Sequence, residues 1–467
     1  MNASAFLSSV SRTARLALAF AAAGFLSEAS FAAELKQHNL GEKTGEALQK
    51  LKPLQEAKNW DGMIQLIDSI VPTVGPMSYD LAYILDIKAK LLLQKEQYAL
   101  ALAPWEQAVQ ISDANGGYFD EKTTQDIIFF LAQLCYQEGV GSKNPAVQQQ
   151  FIAKASTYIK RWLQTSKKPT PEAVMFYASI LYQQAVVNPE KVDLNLVKQA
   201  RVEVEKGLLA SIKPKEGLYV LLLAILQQEN NIAQASEVLE LLVKQYPTKK
   251  DYWPTLMATY LNLGGSEKDP GRSRTNYIRA INTIERAQAL GHMKTPKDNY
   301  NLVTLYLTAG QFGKATELLY AGLKNGNIES DVKTWLVLGY YYQQANQELQ
   351  AISVLKEAAE LFPKSGAIEL QIGEIYRQME RTRDSLPHYR RAVKKGGLDK
   401  PHIALQLQAY AAFEMEEFEE AFKAINEAAA FPESQKDAQL PRLKSAIEEA
   451  IMAQKMAKEE ADKKRKI

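Results

Sequence analysis

Residues 335–364 read WLVLGYYYQQANQELQAISVLKEAAELFPK, a pattern of two helical runs that closes on a proline. Counting Val332 as position 1, Trp335 stands at position 4, Leu338 at 7, Gly339 at 8, Tyr342 at 11, Ala351 at 20, Leu355 at 24, Ala358 at 27 and Pro363 at 32. Small side chains at 8, 20 and 27 let two helices, and the next pair, approach closely, and large ones at 4, 7, 11 and 24 fill the space around them. Pro363 ends the second run because it has no amide proton to donate and its ring clashes with the preceding turn. Such a unit cannot stand alone. Ordering about 34 residues costs on the order of 50 kcal/mol of conformational entropy, more than two short helices recover by burial, so neighbouring units must stack.

The neighbours are present. Residues 366–399 keep Gly373, Tyr376, Ser385, Tyr389 and Ala392 at the matching positions, and 402–435 keep Ala409, Ala421 and Ala428. Upstream, 296–329 keep Leu302, Tyr306, Ala315 and Leu319, and 216–249 keep Leu222, Ala235 and Pro247. Between those two units lies a stretched one that opens with Trp253, Leu256 and Tyr260 and resumes with Ala280, Ile284 and Ala287. It carries about eleven extra residues, of which GGSEKDPGRSR reads as a loop grown inside a hairpin. The N-terminal half follows the same rhythm with a weaker signature: 79–112 is one helix pair, 119–166 and 171–211 supply two more, and 42–71 reads as a degenerate first pair.

This unit resembles the tetratricopeptide repeat, a helix–turn–helix of about 34 residues; the departure is Leu355, where that repeat usually carries an aromatic residue. The resemblance implies an all-α fold, a right-handed superhelical solenoid of about ten hairpins over 42–435. The domain reading is a cleaved leader at 1–32, degenerate hairpins at 33–215, a recognisable array at 216–435 and a capping helix with a charged tail at 436–467.

Composition narrows the function. Lys and Arg number 56 against 54 Asp and Glu, without a basic stripe, which argues against nucleic acid as a partner. The first 32 residues carry Arg12 and Arg15 and no acid until after an apolar run, Leu16–Leu26, and end with small residues at Ser30 and Ala32. That is the layout of a secretory signal peptide, too short to span a bilayer, with cleavage expected between Ala32 and Ala33. No later stretch reaches about 18 uncharged apolar residues, so the mature chain is expected to have no transmembrane segment. Cys135 is the single cysteine, set among apolar residues at helical spacing, and reads as a core residue.

The motifs of catalysis are missing. The four histidines, His38, His292, His388 and His402, stand at no metal-ligand spacing and read as surface or interface residues. GGSEKDPG lacks the Lys-Ser/Thr ending of a phosphate loop, and there is no GxSxG or HExxH. Glu416, Glu417, Glu419 and Glu420 read as an exposed, solvated face. The expectation is therefore no enzyme, no catalytic residue, no metal and no cofactor.

What remains is a surface. In tetratricopeptide arrays the first helix of each pair lines the concave side, with positions of about 2, 5, 9, 12 and 13 facing inward. Carried onto this chain, the resemblance implies a partner-binding face containing Tyr300, Leu336, Tyr340, Gln343, Leu370, Arg377, Tyr410 and Phe413. The alternative, that several of these aromatics only pack against the adjacent hairpin, stays open at this stage.

One further likeness is closer. YIKRWLQTSKKPTPEAVMFYASILYQQ (158–184), the segment 218–264 with its QYPTKKDYW turn, and 392–429 with its KKGGL turn resemble the tetratricopeptide proteins associated with TonB energy-transduction systems of Gram-negative bacteria. That resemblance implies a periplasmic adaptor working with a TonB, ExbB and ExbD-type complex. The alternative is a periplasmic adaptor in outer-membrane or polysaccharide-export assembly.

Overall fold

A computed structural model of the chain describes residues 38–166 and 169–465. The leader with its Ala32–Ala33 cleavage site lies outside the described residues, as does the end of the charged C-terminal run. All regular structure among the described residues is helical, and the chain divides into two compact units, one up to Tyr246 and one from Pro247.

In the first unit α1 (Glu42–Gln49), α2 (Leu51–Glu56) and α3 (Trp60–Ile70) set Leu51, Met63 and Ile67 into a core shared with Tyr79 and Ile84. Four hairpins follow: α4 (Tyr79–Gln94) with α5 (Tyr98–Ala114), α6 (Glu121–Gly141) with α7 (Pro145–Thr165), α8 (Pro171–Val186) with α9 (Leu194–Leu209), and α10 (Glu216–Gln228) with α11 (Ile232–Gln245). The 34-residue period fades at α6 and α7 because each of these helices runs for 21 residues. Cys135 on α6 is fully buried among Leu131, Leu134 and Ile152.

The second unit continues with α12 (Tyr252–Ser266) and α13 (Pro270–Ala289), α14 (Pro296–Thr308) and α15 (Phe312–Asn325), α16 (Val332–Gln344) and α17 (Glu348–Leu361), α18 (Gly366–Gln378) and α19 (Thr382–Lys395), and α20 (Pro401–Glu414) and α21 (Phe418–Ala429). A final helix, α22 (Gln439–Arg465), buries Leu440 and Ile447 against the last hairpin.

The insertion at 264–274 departs from the expected loop. Both helices of that hairpin lengthen to absorb it, leaving only 267–269 between them. Asp269 caps the new helix start by accepting a hydrogen bond from the Arg272 amide at 2.8 Å, with Pro270 in the first turn where its missing N–H costs nothing.

Two contacts recur and explain the periodic positions. A Cβ on Gly339 would lie 2.8 Å from Leu355, and one on Gly373 would lie 2.6 Å from the Tyr389 ring. Position 24 therefore rests on the bare backbone of position 8, and Leu355 fills the place of the usual aromatic ring. The turn inside each regular hairpin is also shared. Asn230, Gly310, Asn346, Glu380 and Glu416, all at position 15, take left-handed φ values between 54° and 72°. The amide after each bonds back five residues, as from Gln347 to the Tyr342 carbonyl at 2.9 Å and from Glu417 to Ala412 at 2.8 Å, closing the last turn of the first helix.

Two expectations change. His388 is buried: its Nδ1 lies 2.7 Å from Glu369 Oε2, a partner 19 residues away that only hairpin packing brings near. Glu417 and Glu420 are not simply solvated, because Arg390 on α19 donates to both of them.

Candidate partner-binding groove

In α16, Asp331 sets the start of the helix by accepting from the Thr334 amide at 2.7 Å. Positions three and four apart then share a face, so Lys333, Leu336, Val337, Tyr340, Tyr341 and Gln344 form one stripe. On α18 the matching stripe is Ala367, Leu370, Gln371, Glu374 and Gln378, and between the two helices runs an open groove of about 600 Å³. Two side-chain bridges hold its walls together. Gln371 Nε2 donates to the Leu336 carbonyl at 3.1 Å, and Gln343 Nε2 donates to Gln378 Oε1 at 2.9 Å.

The tyrosine triplet divides among different surroundings. Tyr340 is half exposed, its ring edge-on to Tyr341 at 5.3 Å. Burial raises the Tyr341 phenol above its ordinary value, and the nearby Tyr300 and Tyr340 add to this. The Tyr342 phenol is raised by burial and then by Tyr320 and Glu317, both on α15, which places it in the wall. Burial raises the Glu374 carboxyl, and Arg377 draws it only partway back. Gln371 Oε1 is buried, and no group among the described residues donates to it.

Of the residues expected to face a partner, Leu336, Tyr340, Gln343 and Leu370 come together in this groove. Tyr300 is exposed on α14 near Tyr341. Arg377 is exposed on α18 outside the groove lining, beside Tyr389. Tyr410 is half exposed on α20, whereas Phe413 packs against the last core with its ring 5.7 Å from Phe418. Sequence reasoning missed Val337, Ala367, Gln371 and Gln378. Gln378 stands at position 13, already an inward position, so it was findable; Val337 and Gln371 stand at position 6, which no repeat pattern marked.

Among the described residues no group of three or more His, Cys, Asp or Glu is placed to hold a metal ion, and no helix is long and apolar enough to cross a membrane.

Comparison with known proteins gives a family match over one unit: the family described as tetratricopeptide repeat matches residues 332–365. No curated protein matches the chain. Among solved structures, the crystal structure of MamA is 15% identical over 36% of this chain and 91% of its own, with a TM-score of 0.27. YrrB, described as a TPR protein with an unusual peptide-binding site, is 15% identical over 47% of this chain and 100% of its own, with a TM-score of 0.29. The APC/C hetero-tetramer Cut9–Hcn1 structure is 14% identical over 86% of this chain and 76% of that one, with a TM-score of 0.27. The chain thus carries a tetratricopeptide repeat whose first helix, α16, forms one wall of the groove.

Proposed function

We propose that the protein is an exported, non-enzymatic scaffold that holds a segment of a protein partner in the groove between α16 and α18, in the periplasm of a Gram-negative bacterium, as an accessory of a TonB, ExbB and ExbD-type energy-transduction system. The observation that carries the binding part is the groove itself: an open cleft of about 600 Å³ with a half-exposed tyrosine on its rim and amide side chains along it. What supports the compartment is the three-part leader ending at Ala32, and what supports the system is the likeness of 158–184, 218–264 and 392–429 to the TonB-associated repeat proteins.

Crosslinking in intact cells followed by capture of the full chain tests the reading. TonB, ExbB or ExbD-type proteins are expected in the captured fraction, and Tyr340→Ala with Gln343→Ala is expected to remove them at unchanged helical content. Recovery of polysaccharide-export components alone would overturn the energy-transduction part. Early melting of the double variant would assign these two side chains to packing. N-terminal sequencing of the protein from the periplasmic fraction should begin at Ala33.

A further inference from the structure

The solvent face of α9 is unlike that of the second helices before and after it. Val197, Ala200, Val204 and Gly207, spaced three and four apart, are the buried face of this helix. The opposite face, on the same spacing, is Asn195, Lys198, Val202, Lys206 and Leu209, all exposed. The helices can be aligned on a buried alanine, Ala155 in α7, Ala200 in α9 and Ala235 in α11. The residues two and nine places further on are then Thr157 and Gln164 in α7 and Glu237 and Lys244 in α11, but Val202 and Leu209 in α9. Stacking requires neither: Leu209 is 88% exposed, and Ile212, in the turn that follows, is 108% exposed and continues the line. The polar residues among them are of one sign. Lys198 and Lys206 lie within the stripe and Lys213 follows Ile212, with no acid at any stripe position. The acids alongside are paired, Glu205 accepting from Arg201 at 2.8 Å and Glu203 from Lys206 at 2.7 Å. A lysine near the end of a helix complements its dipole, but Lys198 stands in the first half of α9, where that reason is absent.

We propose that this ridge docks the protein on an anionic phospholipid surface, with Val202, Leu209 and Ile212 set into the interface and Lys198, Lys206 and Lys213 against the lipid phosphates. Docking of this kind is independent of the groove between α16 and α18. Three properties select lipid as the occupant. The ridge is convex, and side chains that stand as proud as Leu209 and Ile212 need an occupant that deforms around them, as a fluid interface does. Lysine stems lie along apolar neighbours while their ammonium groups reach outward, and each one gains from the negative potential of an anionic membrane. A second copy related by a two-fold axis would instead lay this ridge on itself, setting Lys198 and Lys206 against lysines with no acid in the stripe to offset them.

A fluorophore on the ridge reads the contact directly. Ala210→Cys in the full chain, labelled with an environment-sensitive dye, keeps Leu209 and Ile212 on either side, and the buried Cys135 stays unlabelled in the folded protein. Vesicles of phosphatidylglycerol and phosphatidylcholine in equal parts should shift its emission to the blue, and vesicles of phosphatidylcholine alone should not. Thr157→Cys, labelled in the same way on the matching face of α7, should respond to neither. In the Ala210→Cys chain, Leu209→Asn with Ile212→Asn should weaken binding to the mixed vesicles about tenfold or more, and Lys198→Gln and Lys213→Gln about fivefold each. No shift with mixed vesicles, an equal shift with both vesicle types or at both labelled positions, or an affinity that either set of substitutions leaves unchanged would overturn the proposal. So would a shift that grows with protein concentration in the absence of lipid and is abolished by the Leu209 and Ile212 substitutions, which would assign the ridge to contact between copies.

Discussion

Glu369 offers a quantitative test of how the wall of the groove is held. It sits in the first turn of α18, only 4% exposed, and its carboxylate meets three groups of α19. Oε2 lies 2.7 Å from His388 Nδ1 and accepts from Arg391 Nε at 2.9 Å, while Oε1 accepts from Lys395 Nζ at 2.8 Å. His388, Arg391 and Lys395 are spaced three and four apart and so share one face of α19. Burial is the largest single influence and would push the carboxyl up, but the hydrogen bonds from His388, Lys395 and Arg391, with the Arg391 charge, outweigh it and bring it to about 2. Measured from an ordinary glutamate near 4.3, a depression of this size is worth about 3 kcal/mol. Because the folded value is the lower one, this stability is present in full above the ordinary value of about 4.3 and is lost as pH falls toward about 2.

Glu369→Gln removes the charge and leaves three donors facing a neutral amide. In a stacked array the consequence is local opening of one hairpin rather than a shift of the whole chain, so hydrogen exchange resolved by segment is the suitable assay. After correction for intrinsic rates, amides of α18 and α19 should exchange on the order of a hundredfold faster than in the parent at pH 7, the equivalent of about 3 kcal/mol. The two proteins should converge as pH approaches 2, and α4 and α5, in the other unit, should be unaffected at any pH. Equal protection at pH 7, or a difference that persists undiminished at pH 2, would refute the assignment of this stability to the Glu369 charge.

Two further outcomes follow from the packing. Gly373→Ala places a methyl group 2.6 Å from Cε1 and 2.8 Å from Cδ1 of the fully buried Tyr389 ring; overpacking of about 1–3 kcal/mol should exceed the helix-propensity gain of up to about 1 kcal/mol. Urea denaturation followed by circular dichroism should therefore show a destabilised chain, and equal or greater stability would contradict the close approach. Cys135 is fully buried, with its thiol pushed up to about 12 chiefly by burial and then by Glu106. A chromogenic disulfide reagent at pH 8 should leave the folded chain unlabelled and label one thiol after urea is added, whereas rapid labelling without urea would show the core around α6 to be open.

What the sequence reveals of this fold is what repeats. Gly339 and Gly373, Leu355 and Tyr389, and the alanines at positions 20 and 27 recur because each of these hairpins must solve the same close-packing problem, so the hairpins that carry them could be placed from spacing alone, whereas 42–71, which reads as one pair, forms three helices. The left-handed residue at position 15 is equally regular in space and silent in sequence: Asn346 suits that conformation, but Glu380 and Glu416 do not advertise it. The 264–274 segment misled for a related reason. GGSEKDPG has the composition of a loop, yet Gly264 gives room for the Tyr277 ring, 2.7 Å from where a Cβ would stand, and Asp269 with Pro270 starts a new helix, so the extra residues lengthen the hairpin. The pairs Glu369–His388 and Arg390–Glu420 join residues 19 and 30 apart, beyond any local spacing rule.

The groove inverts this logic. Its walls come from positions that are alike from unit to unit, but its chemistry comes from positions that differ: Tyr340 faces outward where the next repeat has Glu374, and Val337 occupies the place that Gln371 takes one repeat later. A residue that breaks the period is not needed for stacking. Gln371, whose amide donates across the groove to the Leu336 carbonyl, ties α18 to α16 with a bond that Val337, its counterpart one repeat earlier, has no polar group to make. In a repeat protein the residues that read a partner are therefore to be sought among those the repeat does not require, on the faces the repeat leaves open. By that criterion α18 matters as much as α16, although the aromatic triplet on α16 is the feature the sequence makes conspicuous.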